Sequence, residues 1–127
     1  MSLDLYKPKY GSNMEHAVVR ALVEYLVKHG WWPTHANDGE QIHKRKLPCP
    51  PALPWVMDIV FSVDESAVRF THNGKGHDVV FRLGNEWYCT IADWRYSEDD
   101  EDGFDYLMSR FTDALNDDTP VSLSLDL

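Results

Sequence analysis

Cysteine is scarce in this chain, long apolar runs are missing, and cations are almost absent from its last quarter. The two cysteines, Cys49 and Cys89, stand 40 positions apart with no Cys-x-x-Cys. That leaves no disulfide framework and no closed zinc pattern, and in a reducing compartment the pair reads as a loop thiol and a strand thiol. Nothing near the N-terminus has the character of a signal sequence. No later segment reaches the roughly 20 apolar residues that a membrane-spanning helix needs, so a cytoplasmic protein without a membrane partner is expected. The nucleophile pattern Gly-x-Ser-x-Gly and the helical zinc pattern His-Glu-x-x-His are both missing. Gly74 and Gly76 form no phosphate loop, because no helix pattern follows them. On these grounds no catalytic residue, metal ligand or cofactor is assigned.

The shortage of cations is local. Residues 1–96 hold 11 Asp plus Glu and 11 Lys plus Arg, whereas residues 97–127 hold 10 acids and Arg110 alone. The whole net charge of -9 therefore belongs to the C-terminal quarter. Binding to nucleic acid or an anionic membrane needs clustered cations, and Lys44-Arg45-Lys46 is too short a group to supply them. No direct nucleic-acid binding is expected.

What the chain does have is the means to fold. It is 127 residues long and 43% hydrophobic, with five Trp, six Tyr and five Phe. Acidic disordered chains usually lack such aromatics, and this length matches one ordinary domain with its own core. The expected folded core is 12–116, with 1–11 and 117–127 as terminal segments.

Ser12 and Glu15 have capping-box spacing, so a helix should follow. Met14, Ala17, Val18, Ala21, Leu22, Tyr25 and Leu26 recur at helical spacing, and Gly30 is a natural stop. Val19, Val23 and Val27 widen the apolar surface, so this helix either sits centrally or meets a second subunit. The stretch 31–37 is extended, and Pro33 cannot donate to a ladder, which makes it an edge strand. Residues 40–54, with the basic trio and four prolines, read as a loop. Residues 55–63 suit a strand or a short buried helix. Alternation over 67–72, the turn Asn73-Gly74, and renewed alternation over 77–83 and 86–94 give a three-stranded antiparallel meander. Phe104, Leu107, Met108, Phe111, Ala114 and Leu115 return to helical spacing. The tail 121–127 alternates and has the pattern of a further strand or a frayed end. The fold class is thus α+β: an antiparallel sheet of three to five strands, an N-terminal helix, a short middle helix and a C-terminal amphipathic helix.

The order of these features resembles that of short α+β proteins of unassigned activity carried by phages, plasmids and related mobile elements. It runs through the Trp-rich strand, Asp38-Gly39-Glu40, Ser62-Val-Asp-Glu65, Val68-Arg-Phe70, Leu83-Gly-Asn85 and Ile91-Ala-Asp-Trp94 to an acidic-capped helix. The resemblance covers roughly residues 17–115, rests on spacing, and implies a helix over 55–61. It brings no activity and no functional residues with it.

Three groups of residues are candidates for a site. The first is Glu98, Asp99, Asp100, Glu101, Asp102 and Asp105, six carboxylates within eight positions. Aligned on Gly103 as a calcium loop, this run lacks the closing bidentate ligand, because the twelfth position is Ser109. One or two acids suit the start of the helix at Phe104, where each contributes about 0.3–1 kcal/mol. Five in a row exceed that need, and the surplus reads as a solvated turn or as a surface for a basic partner. The second group is His35, Asp38, Glu40 and His43, a polar cleft for an enzyme or ligand binder if the four converge, and otherwise an exposed turn. The third is Asp93, which strand alternation places on the inward face with Cys89 and Ile91, paired with Arg82 or Arg95, or a general base if it stands unpaired in a cleft. His72 and His77, on either side of a hairpin, are expected to sit in water. Five tryptophans exceed what one small core can hold, so a homodimer is expected.

Overall fold

The computed structural model describes residues 13–45, 52–84, 89–94 and 103–117. Helix α1 (Asn13–Lys28) is followed by β1 (Trp32–Asn37), β2 (Ile42–Lys44), α2 (Ala52–Val60), β3 (Glu65–His72), β4 (Lys75–Arg82), β5 (Ile91–Trp94) and α3 (Phe104–Asp117). The strands form one sheet in the order β2-β1-β3-β4-β5, and every neighbouring pair is antiparallel. The α+β class is therefore observed, with the meander β3-β4-β5 inside a five-stranded sheet.

Helix α1 takes the central option. Val18, Val19, Leu22, Val23 and Leu26 are all buried, and they belong to the same core as Val68, Phe70, Val79 and Phe81 from the sheet. A helix that is apolar nearly all round belongs inside a fold, and this one consumes its apolar surplus there. Its C-terminus closes as a Schellman motif. Trp31 N donates to Leu26 O at 2.8 Å and Gly30 N to Val27 O at 3.0 Å, while Gly30 takes φ of 88°. Glu15 does not face water. It is 2% exposed, and its Oε2 accepts from the backbone N–H of Gly84 at 3.0 Å, linking α1 to the end of β4. Its proposed capping partner Ser12 lies outside the described residues.

Two expectations for the first half of the chain are corrected. Strand β1 is not at an edge: it lies between β2 and β3. Pro33 is tolerated there because the ladder shifts register between Pro33 and His35, leaving Thr34 as the extra residue of a bulge. The Pro33 carbonyl accepts from Arg45 Nη1 at 2.9 Å. The stretch 40–54 is not simply a loop either, because it holds β2 and the start of α2. Pro54 is the third residue of α2, in the first turn, where a missing N–H costs nothing. The helix expected over 55–61 is present over 55–60 as part of α2, with Phe61 in the turn that follows.

The third strand of the meander is shorter than expected. It begins at Ile91, Cys89 is exposed and Thr90 is buried, reversing the alternation expected there. Residues 85–88, including Trp87, lie outside the described residues. A second bulge separates the pairs Val80↔Asp93 and Phe81↔Ile91, with Ala92 as the extra residue. Asp93 therefore shares the face of Val80 rather than that of Ile91, and it is exposed. Helix α3 packs through Phe104, Met108, Phe111 and Leu115, all buried. The tail 118–127 lies outside the described residues.

All three helices join the core on one side of the sheet, through Val68, Phe70, Val79, Phe81 and Ile91. The alternate residues, including Arg69, Asp78, Ala67 and Val80, belong to the opposite face, which no described helix covers.

Candidate functional site

Asp38 begins the tight turn between β1 and β2. Its Oδ1 accepts from the backbone N–H groups of Glu40 and Gln41, each at 2.9 Å, and its Oδ2 lies 2.8 Å from His43 Nε2. The His43 bond and then the two backbone donors favour the ionised carboxylate, lowering its pKa to about 2. Two members of the expected polar cleft, Asp38 and His43, are thus joined. Glu40 contributes its backbone to the turn and leaves its side chain exposed.

His35 is not with them. The pairing sets His35 opposite Lys44 and Ala36 opposite His43. Neighbouring residues of a strand point to opposite faces, so His35 projects from the open face and His43 from the helical side. The four residues do not converge on one point. Among the described residues no group of three His, Cys, Asp or Glu side chains is arranged to hold a metal ion.

His35 instead belongs to a polar cluster created by the first bulge. Thr34 and His35 both lie beside Arg69, and His35 Nδ1 is 3.0 Å from Thr34 Oγ1, which lies 2.9 Å from Thr71 Oγ1. Arg69 is held by Asp78, with Nε on Oδ1 at 3.0 Å and Nη2 on Oδ2 at 3.3 Å. This pair raises the Arg69 pKa above its ordinary value. A concavity of about 180 Å³ opens here, lined by His35, Asn37, Ile42, Ala67, Arg69 and Asp78.

A larger depression, of about 760 Å³, lies where the β1-β2 turn meets the loop between α2 and β3. Asp38, Glu40, Asp64 and Glu65 stand around it. Asp38 and Glu40 are candidates in sequence, but their grouping with Asp64 and Glu65 is not legible there, because the four come as two short turn segments, Asp38-Gly-Glu40 and Asp64-Glu65. The pairing Asn37↔Ala67 brings the two together. Glu65 also meets Arg82 at 3.4 Å across the β3-β4 ladder.

Of the C-terminal acids, Glu98 to Asp102 lie outside the described residues. Asp105 is described and is engaged: its Oδ1 accepts from the Trp94 indole N–H at 2.9 Å. Asp93, the expected inward acid, has its Oδ1 on the backbone N–H of Trp94 at 2.8 Å and is exposed.

The two hairpin histidines are structural rather than solvated. His72 Nδ1 lies 2.9 Å from the Gly30 carbonyl, which only accepts, so Nδ1 carries the proton and Nε2 accepts from Asn73 Nδ2 at 3.1 Å. His77 stacks on Phe104 with centroids 4.6 Å apart and planes 9° from parallel, and both rings contact Trp31.

Comparison with protein-family models, with curated proteins and with solved structures finds no match to this chain.

Proposed function

We propose that this chain is a non-catalytic protein-binding module of the mobile-element type, whose acidic C-terminal quarter engages a basic partner. The observation that carries the reading is the imbalance over residues 97–127, with 10 acids and one arginine against an evenly charged remainder. One helical turn makes use of one or two carboxylates, and Asp105 already serves Trp94 at the start of α3. The run from Glu98 to Asp102 is in excess of that need, and a concentration of one sign of charge steers an oppositely charged partner. The mobile-element assignment is supported by the sequence resemblance described above.

A catalytic reading has less support, since His35 and His43 project from opposite faces of the sheet. Self-association is the second part of the proposal. With α1 consumed by the core, its support is the exposed Trp32 and Ile42 on neighbouring strands. A monomeric mass by light scattering at high micromolar concentration removes that part.

The main test is affinity capture from host lysate at low and high salt, beside a variant carrying Asp99→Lys, Asp100→Lys and Asp102→Lys. Basic proteins retained by the natural chain at low salt, and lost both at high salt and with the folded variant, support the reading. Equal capture by the two proteins overturns it.

A further inference from the structure

We infer that the open face of the sheet is a second contact surface for a basic partner, a trough that takes an extended Lys- or Arg-bearing segment with one apolar side chain seated beside Ala67. This deepens the proposed function and rests on it. Asn37, Ala67 and Val80 lie side by side across β1, β3 and β4, paired Asn37↔Ala67 and Ala67↔Val80. Ala67 has the shortest side chain of the three and makes the floor. The 760 Å³ depression and the 180 Å³ concavity share Asn37 and Ala67 as lining residues, so they adjoin along this row and are taken as one trough.

The two ends of the trough differ in chemistry. At the turn end stand Asp38, Glu40, Asp64 and Glu65, and among the described residues no Lys or Arg lines that depression. Asp38 keeps its charge far into acid, because His43 and two backbone donors hold its carboxylate. Of the described cations on this face, Arg82 is engaged by Glu65 and Arg69 by Asp78, while Lys44, opposite His35, is exposed near the apolar end. At the turn end Glu65 is thus shared with Arg82 and Asp38 with His43, and an incoming cation meets the exposed carboxylates of Glu40 and Asp64. At the other end Ile42, 67% exposed, and Ala67 give an apolar wall to a concavity sized for a single side chain. Seating one apolar side chain in such a pocket, with charges outside it, is the usual division between anchor and steering.

The experiment uses two fluorescent peptides, octalysine and the same peptide with leucine in place of the fourth lysine. Binding to the full chain is read by anisotropy at low salt, and amide shifts in nitrogen-15 spectra locate the site. The leucine peptide is expected to bind more tightly, shifting Gly39, Asp64, Ala67 and Val80. The double variant Glu40→Lys with Asp64→Lys should weaken it about tenfold or more. Both side chains are exposed, and the Glu40 hydrogen bond of the turn is made by its backbone, so this variant folds. Ile42→Ser should remove the advantage of leucine while leaving octalysine unchanged. Shifts confined to residues 98–118, with affinity unaffected by the double variant, overturn the trough and leave the acidic C-terminal surface standing. Failure of both peptides to bind overturns both readings, and equal affinity for the two peptides overturns the apolar seat.

Discussion

The indole N–H of Trp94 donates to Oδ1 of Asp105 at 2.9 Å, fastening the last strand of the sheet to the first turn of α3. The bond is part-buried, and it follows directly on the acidic run. It gives Asp105 a structural job, and leaves the five acids that precede it in sequence as the ones proposed to meet a partner. Asp105→Ala leaves the indole donor without its acceptor and should destabilise by about 1–3 kcal/mol. Asp105→Asn keeps an oxygen there and should recover most of the loss. Urea unfolding at neutral pH reads both. Salt-sensitive capture of a basic partner by the folded Asp105→Asn protein should be unchanged, and a loss comparable to that of the Asp99, Asp100 and Asp102 variant would return Asp105 to the binding surface.

Glu15, in the first turn of α1, makes a corresponding tie. A carboxylate that is 2% exposed on α1 accepts from the Gly84 amide, just past the end of β4. A buried carboxylate is retained only where hydrogen bonds replace its water. Glu15→Ala should therefore cost about 1–3 kcal/mol, and amide hydrogen exchange at Gly84 should speed up by more than it does at Val79 in the middle of the strand. Uniform acceleration at both sites would mean that Glu15 supports the core generally rather than the Gly84 tie.

Periodicity revealed the elements whose side chains repeat over several turns or alternations. Helix α1, the hairpin at Asn73-Gly74 and the Phe104-to-Leu115 stripe of α3 were all legible for that reason. Strand β2 was not, because three residues, Ile-His-Lys, carry no period and owe their pairing to β1. The face of Asp93 was hidden by a different cause: a bulge adds one residue and reverses the inside-outside assignment beyond it, and nothing local at Ala92 announces one. The separation of His35 from His43 follows from the register of the β1-β2 hairpin, which sets His43 opposite Ala36 and which only the paired strands reveal. The acidic depression needed long-range pairing, since Asp38 and Asp64 are near only once Asn37 meets Ala67. The buried Glu15 had a sequence signal, a carboxylate at capping spacing, but its observed partner Gly84 is 69 positions away.

Gly30 and His72 form a coupled pair. Gly30 has φ of +88°, and a Cβ built there would stand 3.0 Å from both Cε1 and Nδ1 of the His72 ring, the ring whose Nδ1–H reaches the Gly30 carbonyl. Gly30→Ala thus strains the backbone and displaces the imidazole. A loss of about 2 kcal/mol is expected, of which about 1–2 is the left-handed conformation itself. In a His72→Ala background the same substitution should cost less, because the crowded ring is gone. A double-mutant cycle from urea unfolding measures the difference, and strictly additive losses would show that the ring yields freely.

Asp38 gives the clearest dependence on pH. Its carboxyl is held down to about 2 from an ordinary 3.8, first by the His43 bond and then by the Gln41 and Glu40 amides. A group with a depressed folded pKa binds fewer protons folded than unfolded, so stability falls as acid is added. The contribution of Asp38 is complete above about pH 4 and is lost as the pH falls toward 2. Asp38→Asn keeps an oxygen for the backbone donors but gives up this titration. The gap in urea midpoint between the natural chain and Asp38→Asn should be widest at pH 5 and close progressively toward pH 2. A gap that stays constant across that range would mean that the charge on Asp38 contributes nothing to the turn, and that its hydrogen bonds alone set the geometry.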